Sequence, residues 1–136
     1  MNYIADFNDS FERVVSKDFD HFFLTFYRQF EGLSPAIAAV FENSPPSRRH
    51  QMLEDSILLL IDYAVSNQVS HELRQLAQFH QKLGVPNSMF DDWLEALIST
   101  LVILDKDFDD GDEIAWRTML APGISLVKNG GIVSGT

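Results

Sequence analysis

Apolar residues along this chain recur at intervals of three and four rather than two, the spacing that lines one face of an α-helix. Phe19, Phe22, Phe23, Phe26, Tyr27 and Phe30 trace one broad stripe. Leu73, Leu76, Ala77 and His80 trace a second, and Trp93, Leu94, Leu97, Ile98, Leu101 and Val102 a third. No run of alternating β-branched residues closes on a hairpin turn. The pattern predicts an all-α protein.

The breaks fall where cap chemistry places them. Gly32 ends the aromatic helix, and Ser34-Pro35 restarts a short one as N-cap plus first-turn proline. Pro45 and Pro46 mark the next break. Ser70 can cap a helix running to Gly84, and Val85-Pro86-Asn87-Ser88 separates it from its successor. Asp107 to Asp112 forms an acidic turn, and the last helix carries Trp116, Leu120, Ile124 and Val127. Seven helices are predicted, at about 6–16, 18–31, 35–41, 47–67, 70–83, 88–104 and 112–128. They make one domain over residues 1–128. Fraying is expected from about Ser125, and residues 129–136 are expected to form a flexible Gly/Ser-rich tail.

Composition narrows the class mainly by exclusion. A length of 136 residues supports one core and not two. The absence of cysteine removes disulfides, thiol catalysis, iron–sulfur clusters and thiolate zinc sites. The longest aliphatic run, Ile57 to Ile61, is far short of the roughly 20 residues of a membrane helix. The N-terminus, Met1-Asn2-Tyr3-Ile4-Ala5-Asp6, lacks the basic start and apolar stretch of a signal peptide. A formal charge of −10 repels nucleic-acid phosphate and anionic membranes. A soluble, cytoplasmic, acidic domain with neither nucleic acid nor membrane as partner is expected.

His80 is the first candidate for chemistry. It shares a helix face with Leu73, Leu76 and Ala77, so its imidazole points inward. Alone, such a histidine reads as a hydrogen-bonded core residue. Its surroundings alter that reading: Gly84 and Val85 follow it, and Phe90 comes after the break. Phe41 closes a short helix that begins at Pro35, and Tyr27 lies in Phe26-Tyr27-Arg28-Gln29-Phe30 on the aromatic helix. Ala115-Trp116 opens the last helix, which continues into Leu120-Ala121-Pro122-Gly123-Ile124.

Over roughly residues 10–128 these strings resemble the globin family, specifically single-domain bacterial haemoglobins and the haem domains of flavohaemoglobins. The resemblance implies a globin fold of about seven helices around a haem pocket, with haem b as cofactor. It implies His80 as the axial ligand of the iron, a role a neutral imidazole fills. Phe41, Val85 and Phe90 would flank the ring, and Tyr27 would lie above it as an O–H donor to a bound ligand. An alternative for Tyr27 is a half-buried ring with its hydroxyl in water.

On the opposite wall, the family's spacing puts a distal gate at Arg48 and Met52 over the iron. A register shifted by three makes Gln51 the gate, but places Asp55 over the iron, an expensive buried carboxylate. Arg48 and Arg49 also read as a solvated helix start or a clamp for a haem propionate. His50 and His71 are expected to be exposed, and His21 is ambiguous. Flavohaemoglobins brace the proximal histidine with a tyrosine and a glutamate; Phe90 and Gly111 stand at those positions, so electron push through the imidazole is expected to be weaker.

Other motifs fail. Asp105-Lys106-Asp107-Phe108-Asp109-Asp110-Gly111 has its glycine one place late for a calcium loop and Trp116 where the glutamate belongs, so it reads as a solvated acidic turn. His71-Glu72 lacks the second histidine of a zinc protease, with Gln75 in its place.

The resemblance thus implies reversible binding of dioxygen, with nitric oxide and carbon monoxide as alternative ligands, and no catalysis by the chain alone. Nitric-oxide dioxygenation would need a separate reductase, since no flavin or nicotinamide domain is expected. A haem-less globin-fold module for sensing or protein interaction remains the alternative. Monomer and homodimer are both open.

Overall fold

The computed structural model describes residues 2–132. Seven α-helices appear in order: α1 (Tyr3–Phe11), α2 (Phe19–Glu31), α3 (Pro35–Phe41), α4 (Pro46–Ser66), α5 (His71–Leu83), α6 (Asn87–Leu104) and α7 (Asp110–Lys128). A π-helical stretch, Glu12–Ser16, prolongs α1, and no strand occurs among the described residues. The ends differ from the predicted ones where a side-chain cap adds a turn. The Asn2 side chain accepts the Ala5 N–H and starts α1 three residues early. Asp109 and Asp112 form a reciprocal capping box that starts α7 at Asp110.

The helices gather around α6 and α7, whose Leu97, Leu101, Trp116 and Leu120 are fully buried together with Phe22 and Phe26 of α2. Each such side chain contributes about 1.5–3 kcal/mol by leaving water. Trp116 is tied to α1 by its Nε1, which donates to Ser10 Oγ at 2.9 Å, and by the Phe7 ring at 4.5 Å. α4 packs along α7 at Gly123, where a Cβ would run into the Leu60 side chain and come within 3.3 Å of its Cα. α4 and α5 touch only sparsely, and α5 rests instead on the end of α7.

Two expectations are corrected. The 105–112 segment is not wholly solvated: Asp105 and Asp112 are buried, because both accept from the Arg13 guanidinium, at 3.0 and 2.7 Å. Nor does α7 fray at Ser125. Leu126 and Val127 continue its buried stripe, and Arg74 of α5 donates to the Gly131 carbonyl at 3.1 Å. Gly130, at φ +67°, takes a backbone conformation that a side chain would strain, and lies against the Gln81 amide. Of the expected tail, residues 133–136 lie outside the described residues.

Candidate functional site

α2 supplies one wall of the site. Tyr27 is buried, its ring centroid 5.1 Å from those of Phe23 and Phe26 and 5.3 Å from that of Phe41 at the end of α3. Ser34, whose Oγ accepts the Ile37 N–H, and Pro35 set the start of α3 and so the position of Phe41. The Tyr27 hydroxyl donates to the Arg49 carbonyl at 3.0 Å, so it is not in water. Burial pushes its pKa above the usual phenol range; the Arg49 charge opposes that rise and the Glu31 charge adds to it.

α4 presents three rows. Leu53, Ile57 and Leu60 are buried; Met52, Ser56, Leu59 and Tyr63 are half-buried; Arg48, Gln51, Asp55 and Leu58 are exposed. Met52 therefore lies on the half-buried row. Both candidate gate residues stand on the outer face, where Gln51 donates to Asp55 at 2.8 Å. The basic residue that turns inward is Arg49, one turn before Leu53 on the buried row. Its Nε donates to the Ser44 carbonyl at 3.1 Å, its Nη1 to Glu31 at 2.9 Å, and its Nη2 to the Phe41 carbonyl. The guanidinium lies 5.9 Å from the Tyr27 ring centre and 5.8 Å from that of Phe41.

α5 supplies the other wall. His80 is half-buried, with Nδ1 2.8 Å from the Leu76 carbonyl oxygen one turn earlier. A carbonyl only accepts, so in the neutral ring the proton sits on Nδ1 and Nε2 keeps its lone pair. Gly84 ends the helix in the left-handed region, at φ +69°, and the Val85 N–H returns to the His80 carbonyl at 3.4 Å. Val85 is half-buried beside this turn. Phe90 of α6 lies 5.7 Å from the His80 ring, and Trp93, one turn further on, lies 6.0 Å from Phe26. One face of α6 thus joins the His80 wall to the Tyr27 wall. The position opposite His80 is a phenylalanine, so the brace on the imidazole is a backbone carbonyl and not a side chain.

Arg49 is the residue that sequence reasoning misplaced, although its position four before Leu53 put it on the buried stripe. His50 is a second correction. It is half-buried between Phe19, at 4.5 Å, and Phe23, at 4.9 Å, with Nδ1 3.5 Å from Asp20. His21 and His71 are exposed.

The architecture is similar to that of a protein from Pseudomonas aeruginosa PAO1 whose crystal structure is described as structurally highly homologous to a human hemoglobin. The two are 28% identical, with a TM-score of 0.83 over 95% of this chain and 98% of that chain. The fold is the globin fold. No family model matches the chain, and no curated protein matches it. Among the described residues, no helix of this globin fold is long and apolar enough to cross a membrane.

The residues present fit a haem. The globin fold offers His80 with its outer nitrogen free and Phe90 against its ring, and half-buried apolar side chains on α4, α5 and α6, including Leu59, Leu76, Met89 and Trp93. Such a partly covered apolar row suits a flat macrocycle that buries most of its surface.

Proposed function

We propose that this globin-fold chain binds haem b through His80 Nε2 and reversibly takes up a diatomic ligand: dioxygen, with nitric oxide and carbon monoxide as alternatives. The observation that carries the reading is the hydrogen bond from His80 Nδ1 to the Leu76 carbonyl, which leaves the outer nitrogen as a donor to metal. Bound haem supplies an iron centre with one coordination position for the gas. The chain's own residues do the rest. Phe41, Met52, Val85 and Phe90 hold the ring and keep water out. Leu76 fixes the imidazole plane. Tyr27 offers its hydroxyl proton to a polar ligand, and its buried ring keeps that proton on oxygen.

In the register with Met52 inward, the family's spacing makes Arg48 the gate, and in the shifted register Gln51; both are exposed on the outer face of α4, so either would act from the solvent side. With a neutral backbone brace in place of a carboxylate, the site suits reversible binding better than bond cleavage. Nitric-oxide dioxygenation remains an enzymatic use of the same site, and it requires an external reductase.

The absorption spectrum of the purified protein tests this. A red protein with a Soret band, or a colourless one that gains the band with hemin, is expected. A colourless preparation that takes up no hemin contradicts the proposal and favours a haem-less interaction module on the same fold. Replacing Tyr27 by Phe should speed dioxygen release; an unchanged rate removes Tyr27 from the site.

A further inference from the structure

The first turn of α4 lacks the usual side-chain cap. Its N-cap is Pro45, whose carbonyl accepts from Arg48 and Arg49 but which has no side-chain oxygen for the other free N–H groups of the helix start. That turn is instead tied to the elements before it by the side chain of Arg49. The guanidinium donates to Glu31 at the end of α2, to the Phe41 carbonyl at the end of α3 and to Ser44 in the loop between α3 and α4. The Arg49 side chain is 20% exposed and that of Glu31 29%, so water screens the pair only in part. The carbonyl of the same arginine accepts the Tyr27 hydroxyl at 3.0 Å.

A tyrosine hydroxyl has one proton and donates it in one direction at a time. A ligand that uses the Tyr27 proton must therefore draw it away from the Arg49 carbonyl. We infer that Arg49 is a positioning residue that acts through Tyr27: locked on Glu31 and the Phe41 and Ser44 carbonyls, it fixes the carbonyl that competes with the ligand for the hydroxyl. The inference rests on the proposed haem site. It has a consequence for ligand choice. Dioxygen, a good hydrogen-bond acceptor when bound, must overcome the latch, whereas carbon monoxide, a poor one, gains little from the hydroxyl and is indifferent to it.

The test compares gas release from hemin-loaded wild type, Arg49→Met, Tyr27→Phe and the double variant. Loosening the latch should slow dioxygen release about fivefold, the worth of one ordinary hydrogen bond. Carbon monoxide release should change by less than about twofold, since it forgoes that bond. In the Tyr27→Phe background, Arg49→Met should change neither. An equal effect in both backgrounds, an equal effect on both gases, or no effect on dioxygen overturns the inference.

A readout without haem separates this from the cofactor question. In the haem-free protein, the Tyr27 hydroxyl proton should exchange slowly by NMR, and about tenfold faster in Arg49→Met, with the Trp116 indole proton unchanged as control. Equal Tyr27 exchange in the two proteins overturns the latch, whether or not hemin binds. Glu31→Gln should act in the same direction as Arg49→Met, and serves if that variant does not fold.

Discussion

His80 Nδ1 stands 2.8 Å from the carbonyl oxygen of Leu76, one helical turn before it. That carbonyl can only accept, so it selects the Nδ1–H tautomer of the neutral ring, the opposite of the form that free histidine favours in water. Nitrogen chemical shifts of the haem-free protein at alkaline pH should therefore show protonated Nδ1 and bare Nε2. The reverse assignment would mean that the outer nitrogen is not held ready for a metal.

Tyr27 gives a prediction at alkaline pH. Burial raises its folded-state pKa, so above about pH 10 the unfolded chain releases a proton that the folded chain still holds. The contribution of Tyr27 to stability is whole below that pH and falls as pH rises through the folded-state value. Wild type should exceed Tyr27→Phe in the free energy of urea unfolding at pH 8, by about 1 kcal/mol for the bond to Arg49. The margin should shrink by about pH 11. A margin that stays constant across this range would sink the assignment.

Arg13 joins the C-terminus of α6 to the start of α7. Its side chain is 36% exposed, but those of Asp105 and Asp112 are 6% and 11% exposed. Arg13→Met leaves two carboxylates facing each other with little water. A loss of roughly 2 kcal/mol in urea unfolding is expected, below the usual figure for a fully buried pair because the arginine itself reaches solvent. A loss under about 0.5 kcal/mol would place the network among ordinary surface ion pairs.

The local features of the fold were readable from sequence because their causes are local. Ser34 and Ser70 cap the helices that follow them, and Gly84 takes the left-handed turn that ends α5. The inward direction of His80 follows from its spacing with Leu73, Leu76 and Ala77. What sequence reading missed depends on partners far along the chain. Arg48 and Arg49 are chemically alike, and Arg49 turns inward toward Glu31 and the Phe41 carbonyl, on elements before α4. Asp105 and Asp112 look like solvated turn residues until Arg13, 92 and 99 residues away, is brought to them. His50 is covered by Phe19 and Phe23 of a different helix. The end of α7 has a fraying composition, yet α5 packs on it through Arg74 and Gln81.

The most direct test of the haem site is a hemin titration of the haem-free protein, followed at the Soret band, for wild type beside His80→Ala. Wild type should saturate at one hemin per chain with a sharp band. His80→Ala should lose the sharp band and bind at least about tenfold more weakly. Equal binding by the two proteins, or binding by neither, would contradict His80 as the ligand on which this account of the globin fold depends.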